Sequence, residues 1–152
     1  NLAQEMTGIF LSVFGIVAIL FFILPSNRMF DRINNRKLMF SGLFIVSLSV
    51  FGLGLSTSSS ELFISMIFYG IGFALLFPST SATIMKGTNS QNRGKAFGIY
   101  YACFSLGVIS GSFIAGLLGT SAMLIFTVGA AIVFISGILM FLNWKQILSN
   151  SS

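Results

Sequence analysis

The chain has 152 residues, 55% of them apolar and 7% charged, with a formal net charge of +5. A soluble domain carries about 25% charged residues, so this chain lacks the polar surface that water demands, and its mean hydropathy of +0.97 points to lipid as the solvent. With no His, one Cys (Cys103) and three acids (Glu5, Asp31, Glu61), a Ser-His-Asp triad and a His/Cys metal cage lack their parts, so no enzyme, metal or cofactor is expected.

A helix needs about 20 mostly apolar residues to cross the hydrocarbon core. Uncharged stretches near that length lie at 8–24, 38–56, 62–85, 96–119 and 122–142. They predict an all-α, polytopic transmembrane helix bundle over a single domain, 1–152. The first stretch is the shortest. Its leader carries Glu5 and no base, whereas a signal peptide has a positive n-region.

All the charge lies outside the spans. Between the first two spans lie Arg28, Arg32, Arg36 and Lys37, and between the second and third only Glu61. Lys86, Arg93 and Lys95 separate the third from the fourth; no charge separates the fourth from the fifth; Lys145 follows the fifth. Bases grouped this way orient a chain in a membrane, so nucleic acid is not an expected partner. The basic side is cytoplasmic by the positive-inside rule. That predicts a multi-pass protein of the cell membrane, with Asn1 outside and the C-terminus inside. The chain begins with Asn, and an odd number of spans leaves its ends on opposite sides. A longer protein, with at least one span ahead of Asn1, is therefore expected.

Within the third span, Pro78 removes a helical hydrogen bond to the Ala74 carbonyl and predicts a kink. The hydroxyls that follow, Ser79, Thr80, Ser81 and Thr83, are placed to satisfy freed backbone groups. Ser65, Tyr69, Gly72, Thr80 and Thr83 share one narrow face, a candidate cavity wall. In the fourth span Tyr101, Ser105 and Ser112 share another, and lipid disfavours both. Tyr100 and Tyr101 also suit an interfacial aromatic belt. Gly107, Gly111, Ala115 and Gly119 form a ridge of small residues that lets helix backbones approach. The second and fifth spans are mostly Leu, Ile, Val and Phe and read as peripheral. Cys103 reads as a small packing residue.

The first basic loop, Asn27-Arg28-Met29-Phe30-Asp31-Arg32-Ile33-Asn34-Asn35-Arg36-Lys37, resembles the loop signature G-x-x-x-D-R-x-G-x-R-K of the major facilitator superfamily. Asp31, Arg32, Arg36 and Lys37 match, and Asn27 and Asn34 replace glycines. In the fourth span Gly98, Gly107, Gly111 and Gly116 fit the family's antiporter spacing G-x8-G-x3-G-P-x2-G-G, with Ser112 for the Pro and Ala115 for a Gly. The run from Gly70-Ile71-Gly72 to Phe77-Pro78-Ser79 looks like the family's tenth span.

The resemblance implies spans eight to twelve of a twelve-span carrier, hence five spans of a six-span half. It implies alternating-access efflux of small molecules in exchange for protons. The lipid bilayer, a small-molecule substrate and the missing N-terminal half of the same carrier are the implied partners. Asp31 would hold a cytoplasmic gate against the positive N-terminus of a neighbouring helix, a contact of about 0.3–1 kcal/mol; as a plain surface charge among bases it would hold nothing. The rival expectation is a small membrane scaffold or subunit that transports nothing.

The orientation has a direct test in a Cys103→Ala background. In intact cells an impermeant thiol reagent should label Ser58→Cys and spare Asn89→Cys. The reverse pattern inverts the topology.

Overall fold

The structure is a computed structural model that describes residues 2–23, 34–119 and 121–149, with side chains described at 8–21, 23, 34–119 and 121–143. Among the described residues there are five α-helices and no strand. They are α1 (Leu2–Ile23), α2 (Asn35–Leu55), α3 (Ser59–Lys86), α4 (Arg93–Leu117) and α5 (Ala122–Ser149). The helices α2, α3, α4 and the Ala122–Asn143 part of α5 are long and apolar enough to cross a membrane, and α1 contributes the shorter apolar stretch Gly8–Phe21.

Local chemistry fixes the helix ends. At the start of α2 the Asn34 side chain accepts the Arg36 N–H at 3.2 Å. At the start of α3 the Ser58 hydroxyl accepts the Glu61 N–H, while the Glu61 carboxylate accepts the N–H groups of Thr57 (2.7 Å) and Ser58 (3.3 Å). That reciprocal pair is a capping box, and it lies in the pattern Ser58-Ser59-Ser60-Glu61. Gly119 has φ +77° and stands two residues past the end of α4. Only glycine takes that backbone without strain, so Gly119 terminates the helix instead of extending its ridge of small residues.

Packing follows a simple order. The helix α3 lies between α1 and α2, α2 lies between α3 and α5, and α4 touches α3 sparsely. The α2–α3 crossing is the closest approach. A Cβ on Gly42 would stand 3.0 Å from the Gly72 carbonyl oxygen, and one on Gly72 would stand 2.9 Å from Val46 Cγ2 and 3.0 Å from the Val46 nitrogen. Gly70 does the same against α1, where a Cβ would meet the Phe14 carbonyl at 3.0 Å. Rings fill the rest of the α1–α3 seam: Phe10 meets Phe63 edge-on at 4.8 Å, and Phe14 meets Tyr69 at 4.9 Å and Phe73 at 5.5 Å. Across α2 and α5 the buried Ser47 hydroxyl donates to the Ala130 carbonyl at 3.0 Å, and Phe40 packs on Phe141.

Adding a methyl group at the crossing forces backbone to move, which typically costs about 1–3 kcal/mol. Gly42→Ala and Gly72→Ala should each lower the thermal stability of the purified protein by that order. Gly129→Ala is the control, since its Cβ would meet Val50 Cγ1 at an ordinary 3.8 Å, and it should be neutral. Equal effects at all three positions would refute the crossing.

Candidate functional site

The candidate residues fall into three groups. The first is the basic loop. Asp31 and Arg32 lie outside the described residues. Arg36 and Lys37 are exposed in the first turn of α2. Arg36, Asn34 and Asn35 line a polar cavity of about 460 Å³ together with Thr83, Lys86 and Gly87 from the end of α3.

The second group is the polar face of α3. The structure turns much of it toward neighbouring helices. The Ser65 hydroxyl lies 2.9 Å from where a Cβ on Gly52 of α2 would stand. Thr83 donates to the Ser79 carbonyl at 2.7 Å and also reaches Met39 Sδ of α2 at 3.5 Å. Tyr69 is set against Phe14 of α1, and Thr80 donates to the Leu76 carbonyl at 2.8 Å. Pro78 sits inside a helix that continues through it. The flanking hydroxyls do bond to backbone. Ser79 donates to the Leu75 carbonyl at 2.6 Å, Thr80 to that of Leu76 and Thr83 to that of Ser79, so none of these acceptors is the Ala74 carbonyl.

The third group is α4, which buries none of its residues. Tyr101, Cys103, Ser105 and Ser112 are all exposed. Tyr101 keeps ring contacts within its own helix, to Tyr100 at 5.3 Å and Phe97 at 6.4 Å. A Cβ placed on Gly98, Gly107, Gly111, Gly116 or Gly119 would meet nothing within 4 Å. The small-residue ridge and the polar face of α4 are thus both open. The polar faces of α3 and α4 are not brought together, because α3 offers its own to α2 and α1.

Sequence reasoning passed over three features. Asn35 is 6% exposed, and its Nδ2 has no hydrogen-bond partner. Arg93, the first residue of α4, buries its Nε without a partner. Ser47 ties α2 to α5. A buried polar residue inside a uniformly apolar helix gives no periodic signal, so Ser47 had none; Asn35, inside the basic loop pattern, was hidden by its charged neighbours.

These placements separate the candidates by accessibility. In the intact protein, Ser65→Cys and Thr83→Cys should react slowly with a water-soluble thiol reagent, because both are half-buried beside α2. Ser105→Cys and Ser112→Cys should react faster if α4 faces a water-filled path. Equal rates at all four would remove the distinction.

Comparison with known proteins agrees with the family resemblance. The model of the Major Facilitator Superfamily matches residues 1–146. Multidrug resistance protein 2 of Bacillus subtilis is 36% identical over 95 residues, covering 60% of this chain and 24% of that protein. Multidrug resistance protein 1 of the same organism is 32% identical over 122 residues, 80% of this chain and 31% of that protein. A riboflavin transporter of Clostridioides difficile is 28% identical over 88 residues, 58% of this chain and 19% of its own length. The chain thus spans about a quarter to a third of the two multidrug relatives. No solved structure matches it significantly. With a family match that covers nearly all of its length and a bundle of apolar helices to carry it, this multi-pass membrane chain belongs to the Major Facilitator Superfamily.

Proposed function

We propose that this chain is the C-terminal half-bundle of a secondary transporter that exports small molecules by alternating access, in exchange for protons. The observation that carries the reading is the family match over residues 1–146, and the names of the two Bacillus relatives favour export of drug-like compounds. The likeness of the Gly70–Ser79 run to the family's tenth span favours the C-terminal half.

The geometry supports a division of labour. The helices α1, α2, α3 and α5 form a packed group, while α4 presents small and polar residues to whatever completes the carrier. A half-bundle carrying an open, small-residue helix suits a two-half carrier, in which one half rocks against the other around a central site. The three acids are Glu5, Asp31 and Glu61, and His is absent, so a proton-carrying group at mid-membrane belongs to the rest of the parent. The basic connections face the cytoplasm in this reading, and Asp31 with Arg32, Arg36 and Lys37 biases the gate there.

The test is efflux by the full-length parent in cells stripped of their own drug pumps. Retention of a lipophilic fluorescent dye should fall on expression and recover with a protonophore. A state-dependent gate contact worth about 1.4 kcal/mol shifts populations tenfold. Asp31→Asn should therefore cut turnover by about that factor at unchanged membrane abundance, with a weaker loss in Arg32→Gln. Unaltered dye retention in cells expressing the parent, for every dye tried, would favour a scaffold that transports nothing. Parent-level transport by Asp31→Asn would remove the gate while leaving the carrier.

A further inference from the structure

The polar cavity between the start of α2 and the end of α3 contains Asn35 and Lys86, which neither the packing nor the transport reading uses, beside Arg36 of the gate loop. Its volume is about 460 Å³, and the charged side chains that line it among the described residues, Arg36 and Lys86, are both cations. Asn35 lines the same cavity at 6% exposure, with a side-chain Nδ2 that no group satisfies. A buried donor left unpaired costs about 1–3 kcal/mol, so the site favours a ligand that brings acceptors.

The helix ends add to the same sign. The N-terminus of α2 carries a partial positive charge. The opposing carbonyls at the end of α3 are partly spent, since the Thr83 carbonyl accepts the Gly87 N–H at 3.0 Å and the Ile84 carbonyl accepts the Thr88 hydroxyl at 2.7 Å. Arg36 has an interaction of its own, and a guanidinium with five donors can serve a second acceptor. Lys86 is the exposed last residue of α3 and supplies a mobile ammonium.

We propose that this cavity is a phosphate-binding site, formed by Asn35, Arg36 and Lys86 at the N-terminus of α2. A tetrahedral oxyanion offers several acceptors at once to a buried amide, a planar guanidinium and an ammonium. The same phosphate chemistry is found in the headgroup of an anionic phospholipid and in free inorganic phosphate, and the site lies at the helix ends, where headgroups reside. The proposal does not depend on transport: a carrier, a scaffold or an inverted topology would leave the cavity as it is.

The experiment uses the intact parent protein, purified in a neutral detergent. Phosphatidylglycerol, diacylglycerol and inorganic phosphate are offered in turn, and bound lipid is counted by native mass spectrometry. Inorganic phosphate is followed by thermal shift and by competition with the lipid. Three variants are compared. Asn35→Asp keeps the shape and suits a helix N-terminus but repels an anion. Lys86→Gln removes a charge at an exposed position, and Lys95→Gln removes one elsewhere. Phosphatidylglycerol should bind, diacylglycerol should not, and affinity should fall at least tenfold in Asn35→Asp and Lys86→Gln but not in Lys95→Gln. Thermal stabilisation by inorganic phosphate that is lost in the same two variants would assign the site to the soluble anion as well. Equal binding of phosphatidylglycerol and diacylglycerol, equal affinity in all variants, or no binding of either phosphate source would overturn the proposal.

Discussion

Where α2 crosses α3, glycine meets glycine at Gly42 and Gly72, and backbone lies against backbone. Inside a bilayer the lipid tails are as apolar as Leu, so helices gain little by hiding apolar side chains from their surroundings. What remains is close van der Waals contact, and that depends on leaving out side-chain atoms at the crossing. With α2 and α3 held this near, Leu38, Val46 and Leu53 on one helix and Ala74 and Leu75 on the other become buried. The outer helices then attach to this pair from its two sides, α1 through Gly70 and the aromatic seam, α5 through Ser47 and the Phe pairs.

The polar groups inside this bundle obey the same solvent. Ser49, Ser79, Thr80 and Thr83 each donate to a carbonyl four residues earlier in their own helix. A hydroxyl satisfied in this way crosses lipid without a partner helix, at the cost of a slight bend. Ser47 is different. Its bond to Ala130 runs between helices and is lost if α5 slides along α2. One hydrogen bond of this kind in a membrane contributes about 0.6 kcal/mol on average. Its value lies more in fixing register than in holding the pair together.

Much of the fold could be read from the sequence because the bilayer imposes a single length on every span. The uncharged stretch 62–85 falls inside α3, and 38–56 falls inside α2 except for its last residue, Ser56; the helices run on at some ends because the interface tolerates polar residues such as Asn35 and Lys86. The role of glycine was less legible. Attention went to the regular spacing of Gly107, Gly111 and Gly119, yet the glycines in tight interhelical contact are Gly42, Gly52, Gly54, Gly70 and Gly72. Spacing reports which residues share a helix face. It does not report what that face meets, and for α4 the described chain supplies almost nothing to meet it. The polar residues of α3 were legible as a stripe, but a stripe facing a neighbouring helix and one facing water have the same period. Ser65 and Thr83 turned out to face α2.

The connection between α2 and α3 is three residues long, Ser56 to Ser58, and Glu61 closes it with bonds to Thr57 and Ser58. Joining two antiparallel helices through so short a turn leaves little loop-closure entropy to lose. The pair therefore enters its contact from a state in which the two glycines are already neighbours in sequence space, separated by one hairpin. During synthesis the hairpin is complete as soon as residue 86 has emerged, ahead of α4 and α5. Assembly of the bundle can thus be ordered in time by the chain itself, with the α1–α3 seam and the glycine crossing both available before α4 and α5, and the later helices docking on an existing template.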